Sequence, residues 1–147
     1  MKEIYSIEKI QEMLRQRFGE RISANGNATQ AEPGCVAGVA ALLKETPELG
    51  FDYLDMIAAA DYGSYFELVY TFVSLERNQH FMLKTHLDRD NAALPTLSGL
   101  WRGADFQERE IYDLFGICFE GHANLKRIAM WEGFEGHPLR KDYNCGA

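Results

Sequence analysis

Two copies of the tetrapeptide Phe-Glu-Gly-His, one ending at His122 and one at His137, place metal-binding side chains close together in the sequence. Zinc binds imidazole, thiolate and carboxylate groups, so both histidines, Cys118 and either Glu120 or Glu135 could form a site. However, their spacing matches no compact zinc motif, and a glycine before each histidine is also typical of a tight turn. We therefore favour two structural turns over a metal site, and a free-standing metal hydrolase is the least favoured function.

Acidic side chains cluster in a second stretch that could perform acid–base chemistry, which contains Glu108, Glu110 and Asp113. Glu108 and Asp113 do not share one face of a helix well, because they are five positions apart in the sequence. Glu108 follows Asp105 by three residues, as in a capping box that begins a helix. Arg109 and Asp113 have the i,i+4 spacing of an ion pair. The pattern predicts a solvated or ion-paired helix face rather than a catalytic pair.

Other patterns for catalysis or cofactor binding are absent from the sequence, which has no G-x-S-x-G motif, no P-loop and no G-x-G-x-x-G turn. Three scattered cysteines, Cys35, Cys118 and Cys145, are too few for a cluster with four thiolate ligands and indicate reduced thiols. Cys118 lies between two apolar residues, which predicts a small buried side chain. We expect no catalytic, cofactor-binding or metal site on this chain.

The net charge of −7 argues against nucleic acid and anionic lipid as partners, because both require a basic surface. The longest apolar run, Cys35 to Leu43, is far shorter than the roughly 20 residues that span a bilayer. If the protein works at a membrane, we therefore expect another protein to hold it there.

The elements that would position these groups follow from the spacing of apolar residues, which predicts an α+β fold with helices packed on one face of a mostly antiparallel sheet. Ser6 and Gly19 bound a first helix, and a second lies between Pro33 and Pro47. Arg21 to Ala28 is interpreted as an edge strand. Short connections predict an antiparallel meander of three strands: Tyr53 to Ala60, Tyr65 to Leu75 and Phe81 to Leu87.

Residues 94–147 are predicted to form a signature helix and an extended, loop-rich tail, within the same structural unit as an α+β domain of residues 1–93. Residues 101–143 hold 8 aromatic residues in 43, against 10 in the first 100, so this part is built to pack. Asp105 would cap the helix and Gly116 would end it. Alternating charges beside aromatic rings are typical of a specific polar interface.

The same region resembles a known family in four blocks: LPTL from Leu94, ADFQEREIYDLFGI from Ala104, FEGH from Phe119, and HPLRKDY from His137. It resembles the 30-kilodalton subunit family of respiratory complex I, the proton-translocating NADH:quinone oxidoreductase. The resemblance is sharp over about residues 94–143 and diffuse before them. It implies an α+β subunit of the peripheral arm that has no redox centre and braces the hydrogenase-like large subunit beside the quinone site.

The resemblance further implies that NAD, FMN, iron–sulfur clusters and quinone bind elsewhere in the complex. It also implies that this chain lies peripherally on the cytoplasmic side of a bacterial or archaeal cell membrane. The chain would then be part of an oxidoreductase and translocase without a catalytic site of its own. The expected interface with the large subunit and other peripheral-arm subunits comprises Glu108, Arg109, Glu110, Tyr112, Asp113, Phe115, Phe119, His122, His137, Arg140, Lys141, Asp142 and Tyr143.

Two departures from the family pattern keep related assemblies open. Ala123 stands where the family usually has proline, and Lys126 stands at a common arginine. Proline fixes φ, and arginine pairs bidentately where lysine does not, so both local contacts would differ. The equivalent subunit of an energy-converting hydrogenase or of a formate hydrogenlyase-type complex therefore remains the alternative.

Overall fold

The computed structural model of the chain describes residues 3–144 and shows an α+β fold. Cys145 lies outside these residues. Three α-helices, seven strands and short 3-10 turns make up the described part of the chain. The α-helices and strands are α1 (Ile7–Phe18), β1 (Ile22–Asn25), β2 (Ala28–Ala31), α2 (Val36–Glu45), β3 (Tyr53–Asp61), β4 (Tyr65–Ser74), β5 (Gln79–Asp88), β6 (Ala93–Pro95), α3 (Gly103–Phe115) and β7 (Cys118–Glu120).

The boundaries of the first two helices agree with those predicted from the sequence. The Ser6 side chain accepts a hydrogen bond from the backbone N–H of Lys9 at 3.2 Å, which caps α1. Gly19 ends that helix with φ +68°, a value that glycine adopts without strain. A proline-led turn that begins at Pro33 precedes α2. These local signals were sufficient because they act within a few residues of each helix end.

A five-stranded sheet has the order β1-β2-β5-β4-β3. Strands β3, β4 and β5 form the predicted antiparallel meander, which confirms that prediction. The single edge strand predicted from Arg21 to Ala28 is wrong, because residues 22–31 form the hairpin of β1 and β2. β2 then pairs parallel to β5, which makes the sheet mixed rather than wholly antiparallel.

The hydrophobic core lies between the helices and one face of this sheet, as predicted for an α+β fold. Ile10 and Leu14 of α1 belong to the same buried cluster as Leu43 of α2 and Tyr70 of β4. The cluster also contains Phe119 of β7, so the C-terminal part of the chain shares this core. Alternating burial along β5 follows from the period of two in a strand.

α3 begins three residues earlier than predicted, at Gly103, and no side chain caps its first turn. The prediction that Asp105 is its N-cap is therefore wrong, whereas Gly116 ends the helix in the left-handed conformation, as predicted. The short strands β6 and β7, which the sequence did not predict, flank α3 and pair in parallel. The side-chain amide oxygen of Gln107 accepts a hydrogen bond from the Ile57 N–H at 2.8 Å and fixes α3 against β3.

None of the helices between residues 3 and 144 combines the length and apolar character needed to cross a membrane.

Candidate protein-docking segment

The carboxylate of Asp113 organises the C-terminal segment, which we define as residues 118–144. Its Oδ2 atom accepts three backbone hydrogen bonds, from Ile128 at 3.1 Å, Ala129 at 2.7 Å and Met130 at 2.7 Å. Its Oδ1 atom accepts a fourth hydrogen bond, from the Arg127 guanidinium at 2.5 Å. Because the side chain is fully buried, these four donors replace water around the negative charge. The irregular loop of residues 127–130 is thus folded around one charged oxygen pair.

The pKa of Asp113 depends on two opposing effects, burial and hydrogen bonding. Burial alone would raise the pKa, because it disfavours the charged carboxylate. The backbone N–H of Met130, the Arg127 guanidinium and the two neighbouring N–H groups favour the charged form, and together they lower the pKa below its usual value of 3.8. Asp113 is therefore ionised at neutral pH, and the loop is held by the charged carboxylate.

Arginine side chains complete the connection between α3 and the loop. Arg127 also donates to the Asp113 carbonyl oxygen at 3.1 Å and to that of Gly136 at 2.8 Å. Arg109 donates to the carbonyl oxygens of Lys126 at 3.2 Å and Arg127 at 3.3 Å. The predicted ion pair between Arg109 and Asp113 is therefore wrong: Asp113 pairs with an arginine of the loop, and Arg109 binds the loop backbone.

Glu108 is fully buried, which contradicts the predicted solvated or ion-paired face and its predicted role in a capping box. Its carboxylate accepts hydrogen bonds from the Thr96 hydroxyl and, at 2.8 Å, from the Leu97 N–H. Burial raises the pKa of Glu108, and the two hydrogen bonds and the nearby His122 counter that rise only in part. Glu108 thus ties α3 to the turn that follows β6.

His122 lies against the first turn of α3. Its Nδ1 atom accepts a hydrogen bond from the Asn124 N–H at 3.0 Å, so in the neutral ring Nε2 carries the proton. Nε2 lies 3.2 Å from the carbonyl oxygen of Asp105 and 3.0 Å from its carboxylate. The imidazole is almost completely buried, and it joins the turn after β7 to the start of α3.

His137 lies against the last turn of α3 rather than beside His122. Its Nδ1 donates to the Asp113 carbonyl oxygen at 2.9 Å. Its ring also packs on Gly116, where an added Cβ atom would lie 2.7 Å from the imidazole. Since Asp105 and Asp113 are eight residues apart, the two histidines bind points on α3 separated by about 12 Å. They therefore do not converge on one site.

The metal ligands proposed from the sequence are not assembled in the structure. Between residues 3 and 144, no three histidine, cysteine, aspartate or glutamate side chains are grouped so as to hold a metal ion. Cys118 is an exposed free thiol, so the prediction that it is a small buried residue is wrong. It lies on β7, where alternate residues face outwards, and its buried neighbour is Phe119.

A second polar cluster holds the end of the segment on the sheet. Asp61, the last residue of β3, accepts hydrogen bonds from the Arg89 guanidinium and from the Lys141 N–H, the latter at 2.7 Å. Arg89 also lies 3.2 Å from the Asp142 carboxylate. The Arg89 hydrogen bond outweighs burial and holds the pKa of Asp61 well below its usual value. We call the contacts among these four residues the terminal clasp.

The C-terminal segment exposes three large apolar side chains that the sequence interpretation missed. Trp131 is 67% exposed, Leu139 is 54% exposed and Ile128 is 41% exposed. A cavity of about 420 Å³ lies in the same region, between Tyr112 and residues 125–133. Large aromatic anchors beside a recess are typical of protein interfaces. No periodicity could identify these residues, because the loop is irregular.

The thirteen residues expected at an interface separate into three groups in the structure. Those buried within the chain, which support the segment rather than face outwards, are Glu108, Asp113, Phe115 and Phe119. Those that line the contact between α3 and the C-terminal segment are Arg109, Tyr112, His122 and His137. The half-buried or exposed remainder comprises Glu110, Arg140, Lys141, Asp142 and Tyr143. Within this last group, Arg140 stacks over the buried ring of Phe66 at 5.2 Å.

Comparison with known proteins identifies relatives of this chain. The C subunit of NADH-quinone oxidoreductase from Roseiflexus sp. (strain RS-1) is 44% identical over 118 residues, which cover 78% of this chain and 68% of that protein. NADH-quinone oxidoreductase subunit 5 of Thermus thermophilus is 43% identical over 110 residues, which cover 67% of this chain and 53% of that protein. The chain thus spans between about half and two thirds of the length of these relatives.

Solved structures show the same fold. A trypsin-resistant fragment of Nqo5 is 32% identical, with a TM-score of 0.61 over 81% of this chain and 98% of that fragment. A chain of the membrane-bound sulfane sulfur reductase, an archaeal respiratory membrane complex, is 24% identical, with a TM-score of 0.76 over 94% of this chain and 85% of that chain. The second likeness concerns the fold alone.

Exposed aromatic and charged residues on an ordered segment of an α+β domain are typical of the class of proteins that bind a protein partner. Residues 29–147 match the model of the family described as the respiratory-chain NADH dehydrogenase 30 Kd subunit. The chain belongs to this family.

Proposed function

We propose that the chain is a non-catalytic structural subunit of the peripheral arm of a proton-translocating NADH:quinone oxidoreductase. Its relatives are named as subunits of that enzyme, and family membership supports the same role here. In this proposal the chain braces the hydrogenase-like large subunit on the cytoplasmic side of the membrane and reaches the membrane only through the complex. NAD, FMN, iron–sulfur clusters and quinone would bind to other subunits.

The ordered C-terminal segment is the observation that carries this proposal. Asp113 and the terminal clasp fix the segment at two points, on α3 and on the sheet. Between these points Trp131 and Leu139 stand exposed at fixed positions. A surface that is ordered before binding loses little conformational entropy on association. The polar groups of the family signature would thus position the apolar anchors that bind the large subunit.

Co-purification of the tagged chain with the large subunit tests the proposal. Trp131→Ala removes an exposed anchor, and we expect at least about thirtyfold weaker association, since hot-spot tryptophans contribute about 2 kcal/mol or more and about 1.36 kcal/mol is tenfold. Leu75→Ala is the matched control, because Leu75 is similarly exposed, at 65%, in the connection between β4 and β5. The melting temperature of both isolated variants should stay near that of the parent. Equal association of the Trp131 variant and the parent would contradict the proposed surface.

The other proteins that co-purify distinguish the two kinds of assembly considered from the sequence. NADH-binding flavoprotein subunits would support the quinone oxidoreductase, and a nickel-containing large subunit would support a hydrogenase-type complex. Migration of the chain alone after gentle solubilisation would contradict both. Turnover by the purified chain that is abolished by changing one of its own side chains would contradict the non-catalytic role.

A further inference from the structure

The Arg140 side chain is held in a fixed position but is poorly paired. Its guanidinium stacks over the buried Phe66 ring at 5.2 Å, and the Arg140 N–H donates to the His137 carbonyl oxygen at 3.2 Å. Among the described residues, its one charged partner is Asp142, whose carboxylate lies 3.5 Å from Nε, and Nε itself donates no hydrogen bond. A guanidinium carries five N–H donors, so most of this hydrogen-bonding capacity is open to another molecule.

A second guanidinium beside Arg140 makes the local charge positive. Arg89 stacks over the same aromatic ring, at 5.1 Å, and its guanidinium lies 3.2 Å from the Asp142 carboxylate that Arg140 also approaches. The Asp142 side chain is 62% exposed, so water screens its attraction for both arginines. With Lys141, the cluster holds three cations against the carboxylates of Asp61 and Asp142, an excess of one positive charge on a chain of net charge −7.

A recess of about 300 Å³ opens beside the Arg140 side chain, and His137, Asp142 and Tyr143 contribute to its lining. Leu139, an exposed residue of the proposed docking surface, immediately precedes Arg140, so a partner that covers Leu139 would also reach this recess. The Arg140 side chain would then lose its remaining exposure of 24%, and water could no longer bind its N–H groups. Because a buried charge without acceptors is strongly unfavourable, the partner has to supply them.

We propose that the recess binds a carboxylate of the large subunit, from an aspartate or glutamate side chain, through the Arg140 guanidinium. The two oxygens of a carboxylate match the planar fork of a guanidinium, which donates two parallel hydrogen bonds to them. The carboxylate also balances the excess positive charge of the cluster. The inference rests on the proposed function, and it adds the chemistry of one contact within that interface.

Association of the tagged chain with the large subunit tests the role of the guanidinium. Arg140→Ala should weaken association about thirtyfold or more, because it leaves the partner carboxylate buried and unpaired. Arg140→Lys should weaken it about tenfold, because an ammonium keeps the charge and loses the paired geometry. Arg15→Ala, at an exposed arginine of α1, is the control and should stay within about twofold of the parent.

Protection of the amides of residues 128–130 from hydrogen exchange shows whether the C-terminal segment stays folded in each variant. Association of Arg140→Ala equal to that of the parent would overturn the proposal. So would equal losses in Arg140→Ala and Arg140→Lys with the segment folded in both, because the charge would then contribute nothing.

Zero-length cross-linking identifies the group that occupies the recess. Arg140→Lys places a primary amine there, and a carbodiimide condenses an amine with a carboxylate that touches it. In the complex purified from cells that produce this variant, mass spectrometry should find position 140 joined to an aspartate or glutamate of the large subunit. The parent complex, which has no amine at position 140, is the control. A link to Asp142 alone, or no link at position 140, would overturn the proposal.

An anionic lipid headgroup is the competing occupant, since a phosphate also binds a guanidinium. The chain is acidic as a whole, so we expect no binding of the isolated chain to vesicles that contain phosphatidylglycerol. Vesicle binding by the parent that Arg140→Ala abolishes would assign the recess to a lipid and overturn the proposal.

The recess and the proposed function can fail independently. Parent-like association of Arg140→Ala, with weaker association of Trp131→Ala, would remove the carboxylate site and leave the proposed function standing. Weaker association of Arg140→Ala, with full association of Trp131→Ala, would support the recess and contradict the apolar anchor. Failure of the parent chain itself to associate with the large subunit would contradict the proposed function, and the carboxylate site with it.

Discussion

Replacing Asp113 by asparagine should release the loop of residues 127–130 while leaving the rest of the fold in place. The substitution keeps the size of the side chain and removes its charge. The four donors that now surround the carboxylate would then face a neutral amide, and the NH2 group of asparagine would oppose either a backbone N–H or the Arg127 guanidinium. None of these donors belongs to the hydrophobic core, so the rest of the fold should be unaffected.

The magnitude follows from the burial of the charge and the number of its partners. A hydrogen bond to a charged group contributes about 1.5–3 kcal/mol, against about 1 kcal/mol for a neutral one, and removing one partner of a buried ion pair destabilises by about 3–5 kcal/mol. We therefore expect the substitution to make opening of the loop easier by about 3–4 kcal/mol of free energy. At about 1.36 kcal/mol per tenfold, opening of the loop should become about 10²–10³ times more frequent.

Amide exchange measures this opening directly. The amides of Ile128, Ala129 and Met130 donate to Asp113, so they should lose about 10²–10³-fold protection in the Asp113→Asn variant. Asp105→Asn is the control, because the Asp105 side chain is 42% exposed and binds no loop amide. Unchanged protection of the three amides in Asp113→Asn would refute the role of Asp113 as the organising charge.

Other predictions concern the glycine beside His137 and the two buried carboxylates. Gly116→Ala should lower the melting temperature more than Gly133→Ala: both positions have positive φ, but only at Gly116 would the new Cβ meet the His137 ring. Glu108→Gln should melt at or above the parent at pH 7, because the raised pKa of Glu108 means that its charge is unfavourable in the folded state. The difference in melting temperature between the variant and the parent should become smaller as the pH falls through the raised pKa towards the ordinary value of 4.5. Protonation of Glu108 then stabilises the parent. Protection of the loop amides should persist down to the ordinary pKa of 3.8 for Asp113 and disappear as the pH falls through its lower folded value, which exchange measured at low pH would check.

Sequence patterns predicted the parts of the fold that local signals determine. The caps at Ser6 and Gly19, the proline before α2 and the short connections of the meander each act over a few residues. The parallel pairings of β2 with β5 and of β6 with β7 were not predictable in this way. Each joins short stretches that are far apart in the sequence, so their stability depends on tertiary packing rather than on propensity.

In the C-terminal segment, too, local sequence patterns did not predict contacts between residues that are far apart in the sequence. The i,i+4 rule assigned Asp113 to Arg109, because the rule considers partners on one helix only. The actual partner, Arg127, follows 14 residues later in an irregular loop. Similarly, the apolar flanks of Cys118 suggested burial, but strand alternation turns its side chain outwards. The exposed Trp131 had no pattern around it that could have identified it.

The terminal clasp has a consequence for the integrity of the chain. Asp61 and Lys141 are 80 residues apart, yet their hydrogen bond and the contact between Arg89 and Asp142 join the last described residues to the sheet. A protease that cuts the chain at the exposed residue Lys126 would therefore leave a nicked protein whose two pieces stay associated. Such a protein would run as one species under native conditions and separate into fragments only after denaturation.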